Sequence, residues 1–358
     1  MATDDFLDHA AYERRFQHAS QVFSSAAPPV EMARRLALLH TSRIGPGLIL
    51  AGENRLREAR RVGLLASSMN PLTRAHVALA EAAKQCAELD MLCWVVTAVT
   101  VDKERVERAS QVDRLVEARL YAEAVGDGLL LLKGGLYVEQ ARAAHALLAP
   151  ETEVILIVGF DKIVQIFDPR YYADRDAALR ELVAEAELVV APRAGADEDD
   201  LRALLARPEN RQFAERVRYC PLPSQYVNDS STEARAVVPS DAPGPEKLRQ
   251  LRELLTPEGL ALTLVACPYA PEQPPGEADL GDWYSARQEL VTALTDIPPE
   301  NLENLAQGPA LGRLVKLSAD AGPGGVALRA WVHARGKHTL AGLRAALALS
   351  DPPLPADA

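Results

Sequence analysis

A histidine and several hydroxyl side chains follow a short apolar segment at residues 61–66. The segment Arg61-Val-Gly-Leu-Leu-Ala66 is typical of a buried parallel strand, and the Ser-Ser-Met-Asn-Pro sequence after it is typical of a turn. Thr73 then predicts the N-cap of an alanine-rich helix, which places His76 in its first turn. Free backbone N–H groups and the positive end of the helix dipole meet at such a start. The stretch therefore predicts a phosphate-binding strand–turn–helix; the alternative is an ordinary capped helix with one partly exposed histidine.

A second hydroxyl-rich helix start is predicted far along the chain, at Asp229-Ser-Ser-Thr-Glu-Ala-Arg235. Ser230 and Glu233 have the spacing of a capping box. The alternative is that the serines only cap the helix and that Arg235 is a solvated surface charge. Two helix starts of this kind in one domain favour phosphate binding more strongly than either does alone.

Apolar and amphipathic segments alternate between residues 61 and 240, which predicts a parallel sheet covered by helices on both faces. The predicted strands are Val62–Ala66, Met91–Val99, Leu129–Lys133, Val154–Val158, Leu188–Ala191 and Val217–Cys220. The predicted helices are Thr73–Leu89, Ser110–Val125, Tyr137–Leu148, Asp174–Ala186 and Ser231–Val238. The predicted fold is α/β, a Rossmann-like doubly wound parallel sheet that binds ligands at the carboxyl ends of its strands.

Two further regions flank this α/β domain at residues 61–240. Residues 1–60 are predicted to be helical, either as packing helices or as an arm of a homo-oligomer. Residues 241–358 are predicted to form an α+β extension, in which we recognise no chemistry and which has the character of a dimerisation or lid module. Its predicted elements are a helix at Glu246–Leu255, a strand at Leu260–Cys267, a helix near Trp283–Leu294, a hairpin at Val315–His333 and a helix at Gly336–Leu349.

The composition is that of an ordinary globular protein, with 48% hydrophobic and 25% charged residues. A net charge of −11 argues against a nucleic-acid-binding surface, which would be basic. The N-terminal residues lack the apolar core of a signal peptide, and no apolar run approaches the roughly 18–20 residues that span a bilayer. We therefore expect a cytoplasmic protein with small-molecule partners and neither a nucleic acid nor a membrane as partner.

The two motifs resemble the signatures of the nicotinamide/nicotinate mononucleotide adenylyltransferases. Ser67-Ser-Met-Asn-Pro-Leu-Thr-Arg-Ala-His76 is similar to their Gly-x-Phe-x-Pro-x-(His/Thr)-x-x-His signature, and Ser230-Ser-Thr-Glu-Ala-Arg235 is similar to Ser-Ser-Thr-x-x-Arg. Between them, Ile157-Val-Gly-Phe-Asp161 occupies the place of the family's Gly-x-Asp. The resemblance covers about residues 61–240, roughly half of the chain. It implies transfer of the adenylyl group of ATP to a pyridine mononucleotide, which forms NAD or deamido-NAD and releases pyrophosphate.

The resemblance also implies roles for individual side chains. The catalytic residues would be His76, Thr73 and Arg235. ATP would be bound by Ser67, Ser68, Met69, His76, Asp161, Arg193, Ser230, Ser231, Thr232 and Arg235. The acceptor nucleotide would be bound by Lys103, Arg114, Tyr171 and Tyr172, with a tyrosine stacked on the pyridine ring. For Lys103 and Arg114, ordinary surface charge is an equally good interpretation.

Adenylyl transfer of this kind needs positioned donors and cations rather than a general base, because the attacking phosphate is already an anion. Either a neutral N–H group or a protonated imidazole of His76 could supply one donor. No cluster of acidic residues predicts a metal held by the protein itself. Mg²⁺ is expected to arrive with ATP and to keep most of its waters.

The first signature departs from the family pattern at several positions. Ser67 replaces the leading glycine, Met69 replaces the phenylalanine, and Ala75 stands before the histidine. Glycine at the first position would let the backbone approach phosphate closely. These departures indicate a divergent branch and leave two alternatives: a catalytically weak nucleotide-binding sensor or scaffold, and a transferase that uses another phosphorylated acceptor.

Overall fold

The computed structural model describes residues 8–23, 27–40, 45–98, 109–193, 195–227, 230–269, 284, 288 and 291–292. Lys103, Asp229 and the elements predicted between residues 293 and 358 lie outside these ranges.

A single twisted sheet of seven strands forms the centre of the described chain. The strands are β1 (Gly47–Ala51), β2 (Arg61–Ala66), β3 (Met91–Thr97), β4 (Gly128–Leu132), β5 (Glu153–Gly159), β6 (Glu187–Ala191) and β7 (Val217–Tyr219). Their order is β1-β4-β3-β2-β5-β6-β7. Strands β2 to β7 run parallel, whereas β1 pairs antiparallel with β4 at the edge. This confirms the predicted doubly wound α/β fold.

Helices cover both faces of the sheet. They are α1 (His9–Phe23), α2 (Ala27–His40), α3 (Glu53–Glu58), α4 (Arg74–Cys86), α5 (Gln111–Val125), α6 (Tyr137–Leu147), α7 (Phe160–Phe167), α8 (Arg175–Glu185), α9 (Glu198–Ala206), α10 (Ser231–Val237), α11 (Gly244–Leu254) and α12 (Pro257–Ala261). A short π-helical segment, Leu262–Ala266, continues α12. Two large apolar clusters, one on each face of the sheet, form the core.

The central strands are apolar throughout because both of their faces are covered. All five residues of β4 are buried, and so are the first six of the seven residues of β3. Trp94 of β3 is fully buried and packs edge-on against Tyr121 of α5, with ring centroids 5.3 Å apart. A sheet buried in this way holds the residues at the carboxyl ends of its strands in fixed positions.

The winding direction of the chain reverses between β2 and β5, which are adjacent in the sheet. In an open sheet of this type, the crevice at the carboxyl ends of such a strand pair is the place where ligands bind. Ser67 directly follows β2, Gly159 ends β5, and Arg193 lies just after β6. The topology thus brings three segments that carry predicted site residues to one edge of the sheet.

Two sequence-based predictions of secondary structure are wrong. Residues 1–60 are not entirely helical, because Gly47–Ala51 forms the edge strand β1 against Leu129–Leu132. The predicted strand Leu260–Cys267 is instead helical, formed by the end of α12 and the π-helical segment. A short apolar run satisfies a buried helix as well as a buried strand, so its pattern alone could not decide.

Residues 244–269 pack into the same body as the sheet, although the sequence placed them in a separate extension. Leu255, Leu262 and Tyr269 are fully buried, and the last two belong to the core cluster that also covers β3. Helix α12 packs against α1. Arg15 of α1 forms a bidentate ion pair with Glu258 of α12, with Nε 2.8 Å from Oε1 and Nη2 2.9 Å from Oε2. Helix α1, before the sheet in sequence, and helix α12, after it, therefore pack against each other.

Within the described ranges, no helix combines the length and the apolar character that crossing a membrane requires.

Candidate functional site

The start of α4 has the capped geometry that its sequence predicts. Thr73 is extended, completely buried, and accepts a hydrogen bond from the backbone N–H of His76 at 3.4 Å. In return, the His76 ring reaches back, and its Nδ1 accepts the backbone N–H of Thr73 at 3.2 Å. This reciprocal pair fixes the histidine ring against the first turn of the helix. Thr73 therefore positions His76 and is itself too deeply buried to touch a ligand.

The same contacts decide which ring nitrogen of His76 carries the proton. Burial, and secondly the positive charge of Arg193, lower the pKa of His76 from 6.5 to about 4, so the ring is neutral near pH 7. Nδ1 accepts the Thr73 N–H at 3.2 Å, and the Thr73 hydroxyl, 2.7 Å away, can donate to the same nitrogen, so we assign the single proton of the neutral ring to Nε2. His76 is thus a neutral N–H donor, which resolves the choice that the sequence left open.

The hydroxyl oxygen of Ser67 accepts a hydrogen bond from this donor. Its Oγ lies 2.8 Å from His76 Nε2, and it also accepts the backbone N–H of Met69 at 3.3 Å. Met69 adopts a left-handed backbone conformation with φ of 43°, and its side chain is fully buried in the core. The predicted contact of Met69 with ATP is therefore open only to its backbone.

Helix α10 packs directly on the turn that precedes α4. The hydroxyl of Ser231 donates to the carbonyl of Pro71 at 2.7 Å, and Arg235 Nη1 donates to the carbonyl of Asn70 at 2.6 Å. Arg235 Nη2 also donates to Thr232 Oγ1 at 3.0 Å, while Ser230 caps the helix by accepting the N–H of Glu233. The two predicted motifs, 160 residues apart in sequence, are therefore in contact.

Other side chains and backbone groups bind the remaining polar groups of this turn. Arg114 Nη1 donates to the carbonyl of Ser68 at 2.8 Å, and the carboxylate of Glu117 accepts the backbone N–H of Leu72 at 2.7 Å. The carbonyl of Leu72 accepts from the backbone and the hydroxyl of Thr256, both at 3.4 Å. The carbonyl oxygens of Ser68, Asn70, Pro71 and Leu72 thus point toward protein donors, where they cannot repel a bound anion.

The ends of β5 and β6 bring an acid and a base to the same edge. Asp161 is exposed in the first turn of α7, and Arg193 is exposed just beyond β6. A Cβ atom placed on Gly159 would lie 2.7 Å from Asp161 Oδ1 and 3.6 Å from Arg193 Cδ. Glycine at this position therefore allows the two side chains to converge. Arg193 is close enough to His76 for its charge to contribute to the lowered pKa.

Comparison with known proteins gives the same family as the motifs. No protein-family model matches the chain. Proteins named as probable nicotinate-nucleotide adenylyltransferases are similar to it: one from Geobacter sp. (strain M21) at 30% identity over 32% of this chain, one from Gloeobacter violaceus at 27% over 52%, and one from Synechococcus sp. (strain JA-3-3Ab) at 27% over 42%. The chain is therefore similar, at low identity, to proteins named as nicotinate-nucleotide adenylyltransferases.

The matches cover unequal parts of these relatives. The chain spans about half (55%) of the length of the Geobacter protein, 72% of the Synechococcus protein and 88% of the Gloeobacter protein. Two solved structures of Plasmodium falciparum nicotinic acid mononucleotide adenylyltransferase, complexed with NaAD and with APC, also match. They show 15% and 14% identity and TM-scores of 0.41 and 0.38, and each match covers 59% of this chain and 97% of the other.

The residues predicted to bind the acceptor nucleotide differ in their burial and in their hydrogen bonds. Arg114 is buried and holds the backbone of Ser68, so its predicted phosphate contact stays a prediction. Tyr171 is 54% exposed, whereas the hydroxyl of Tyr172 donates to the carbonyl of Ile166 at 2.8 Å. Of the two tyrosines, Tyr171 is therefore the one whose ring is open to a ligand. Lys103 lies outside the described residues.

Several residues that hold the site together carried no recognisable motif. The buried hydroxyl of Tyr269 donates to Asn70 Oδ1 at 2.7 Å, and the buried Glu117 binds Leu72. Burial raises the pKa of Glu117 well above its usual range, and the Leu72 N–H opposes this shift by favouring the carboxylate. Because these contacts join segments far apart in sequence, only the folded chain shows them.

Among the described residues, no group of three or more histidine, cysteine, aspartate or glutamate side chains is arranged to hold a metal ion.

Proposed function

We propose that this protein transfers the adenylyl group of ATP to nicotinate or nicotinamide mononucleotide. The product would be deamido-NAD or NAD, and pyrophosphate would be released. The names of the related proteins support a nicotinate-nucleotide acceptor. The observation that carries the proposal is the contact of Ser231 and Arg235 with the turn at Asn70 and Pro71, next to His76.

This contact gives both motifs access to one polyphosphate. His76 and its turn lie at the carboxyl end of β2, and Ser230, Ser231 and Thr232 lie at the adjoining start of α10. Arg193 and Arg235 add positive charge locally, which outweighs a distant net charge of −11 because salt screens charges beyond about 8–10 Å. The arrangement suits a ligand with several linked phosphates better than one with a single phosphate.

The chemistry needs no base from the protein. The 5′-phosphate of the mononucleotide attacks the α-phosphorus of ATP, a new phosphorus–oxygen bond forms, and the bond to pyrophosphate breaks. The protein then has to align two anions and to stabilise the charge on the phosphoryl oxygens. The hydrogen-bonded pair of His76 and Ser67, together with Arg193, would donate to the phosphates, and Asp161 would accept hydrogen bonds from ribose hydroxyls. Mg²⁺ would enter bound to the phosphates of ATP.

A hydrolase mechanism does not fit the same residues. Ser67, His76 and Thr73 are linked in the way that a nucleophilic serine, its base and an orienting residue would be. A base for Ser67 would need a free lone pair on Nε2. In this structure Nε2 carries the proton, because Nδ1 accepts the N–H of Thr73. His76 therefore donates to Ser67 and cannot remove its proton.

A pyrophosphate-release assay tests the proposal. Purified protein is incubated with ATP and Mg²⁺ and with nicotinate mononucleotide, nicotinamide mononucleotide or no acceptor, and the dinucleotide is identified by mass spectrometry. We expect release that depends on the acceptor and is fastest with nicotinate mononucleotide. ATP binding without release for any pyridine acceptor would contradict the proposal. It would instead support the sensor or scaffold alternative, or a transferase for another phosphorylated acceptor.

A further inference from the structure

The Ser67 hydroxyl has one hydrogen-bonding capacity left after its contacts in the protein are counted. A serine hydroxyl has two acceptor lone pairs and one proton. His76 Nε2–H donates to one lone pair at 2.8 Å, and the backbone N–H of Met69 donates to the other at 3.3 Å. The hydroxyl proton must therefore point away from both groups. Ser67 is half-buried at the carboxyl end of β2, where the phosphates of a nucleotide are expected.

We propose that Ser67, rather than His76, donates the hydrogen bond to the phosphate oxygens, and that His76 acts through Ser67. This inference rests on the proposed function. The family signature has glycine at this position, so the role belongs to the serine of this chain. Ser67 is then a catalytic residue in the sense that it touches the substrate, and His76 becomes a positioning residue for its hydroxyl.

The row of hydrogen bonds makes Ser67 a stronger donor than an isolated serine. The Thr73 N–H donates to His76 Nδ1, His76 Nε2–H donates to Ser67 Oγ, and Ser67 O–H is left to donate to the ligand. Each donation draws electron density from the next group, so the last proton is the most polarised. Hydrogen bonds from a hydroxyl to a charged oxygen are also short and strong. No proton has to be transferred in this arrangement.

If Ser67 instead competed with ATP for His76, removing its hydroxyl would have the opposite effect on ATP binding and turnover. If ATP had to displace Ser67 from His76 Nε2, the hydroxyl would compete with the substrate. Removing it would then free the histidine, strengthen ATP binding and raise turnover. If Ser67 is the donor, removing it weakens both.

The test compares Ser67→Ala, His76→Ala and the double variant in two assays: calorimetric ATP binding and acceptor-dependent pyrophosphate release. We expect Ser67→Ala to lower turnover by about two orders of magnitude, the scale of losing one donor to a developing charge and close to the loss expected for His76→Ala. We expect the double variant to be no worse than His76→Ala, because both changes break the same row of bonds. Ser240→Ala is the matched control, since its hydroxyl donates to the carbonyl of Val237 away from the turn and should leave both assays unchanged.

Unchanged or improved ATP binding and turnover in Ser67→Ala would overturn the inference. Losses that simply add in the double variant would also overturn it, because they would mean that the two side chains act separately. If the wild-type protein binds ATP but releases no pyrophosphate with any acceptor, the proposed adenylyl transfer fails. The ATP-binding comparison still decides the role of Ser67 in that case.

Discussion

At the scale of single residues, the state of His76 governs what the site can do. The ring is held by Thr73, is neutral, and presents the Nε2 proton to Ser67. A neutral donor can stabilise negative charge on a phosphate throughout the neutral pH range. The role of the His76 ring can be tested by measuring activity, and its lowered pKa by measuring stability against pH.

The change His76→Ala should lower turnover by about two orders of magnitude or more. It removes the N–H that orients and polarises the Ser67 hydroxyl, and losing one donor to a transition-state oxyanion costs about 10²–10³ in rate. The measurement is kcat for pyrophosphate release at saturating ATP and acceptor, with circular dichroism to show that the fold is kept. A loss of less than tenfold would mean that His76 only caps or packs α4.

The lowered pKa of His76 should make the folded protein less stable in mild acid. Below about pH 6.5 the unfolded chain binds a proton on His76, whereas the folded protein binds it only near pH 4. The free energy of unfolding should therefore fall as pH decreases through this window, by roughly 3 kcal/mol from this group. Urea unfolding of wild type and His76→Gln at several pH values checks this. Parallel curves for the two proteins between pH 7 and pH 4 would show that the pKa of His76 is not lowered.

The sequence predicted which residues form the site but not all of their tasks. His76, Thr73, Ser231 and Arg235 lie close together, and their roles in binding and catalysis stay predictions. That Arg114, Ser231 and Arg235 bind carbonyl oxygens of residues 68–71 could not be predicted, because those contacts depend on how α5 and α10 dock on the turn. The residue types show which donors and acceptors are present, whereas their partners depend on tertiary packing.

At the scale of secondary-structure elements, α12 packs against the turn that precedes α4. Gly259 of α12 lies so close to the turn that an added Cβ would be 2.5 Å from the backbone oxygen of Leu72. Thr256, the N-cap of α12, donates to that same oxygen, and Tyr269 holds Asn70. Residues 256–269 are therefore part of the scaffold of the candidate site.

Replacing Gly259 by alanine should destabilise the protein and weaken ATP binding, although alanine normally favours a helix by about 1 kcal/mol. The reason is the clash with a backbone atom, which cannot move without moving the turn. Thermal unfolding and calorimetric ATP binding measure the two effects. Gly244→Ala is the control, since nothing lies within 4 Å of its added Cβ. Equal behaviour of the two variants would show that α12 does not press on the turn.

Prediction of secondary structure from the sequence worked best for the strands of the alternating region between residues 61 and 220. Each strand predicted between residues 61 and 220 is present, with ends shifted by at most two residues. Helices α7 and α9 were not predicted, and β1 was missed because its pairing depends on the free edge of β4. The apolar run at residues 260–266 was misassigned because both of its possible structures bury the same side chains.

At the scale of the whole molecule, the N-terminal helix and the segment after residue 255 close on one another beside the site. Arg15 of α1 and Glu258 of α12 form the most buried ion pair of this contact, with side chains 16% and 2% exposed. Tyr12 of α1 also donates to the carbonyl of Leu255 at 3.1 Å. Regions that flank the sheet domain in sequence are thus joined in its structure.

Breaking the Arg15–Glu258 pair should cost far more than breaking a surface pair. Arg15→Met leaves the buried carboxylate of Glu258 without its partner, and such a loss typically costs about 3–5 kcal/mol. Arg202→Met, which removes pairs with Glu198 and Asp199 at a side chain that is 67% exposed, should cost about 1 kcal/mol or less. Urea unfolding measures both. Similar losses in the two variants would mean that α1 is not anchored through this pair.

A crystal structure with a non-hydrolysable ATP analogue and Mg²⁺ tests most directly whether the two motifs act on one ligand. We predict that the triphosphate lies between the start of α4 and the start of α10. Its oxygens should lie within about 2.5–3.2 Å of a donor from Ser67 or His76 and of a donor from residues 230–235. A triphosphate bound elsewhere on the sheet, or touching only one of these two helix starts, would contradict this.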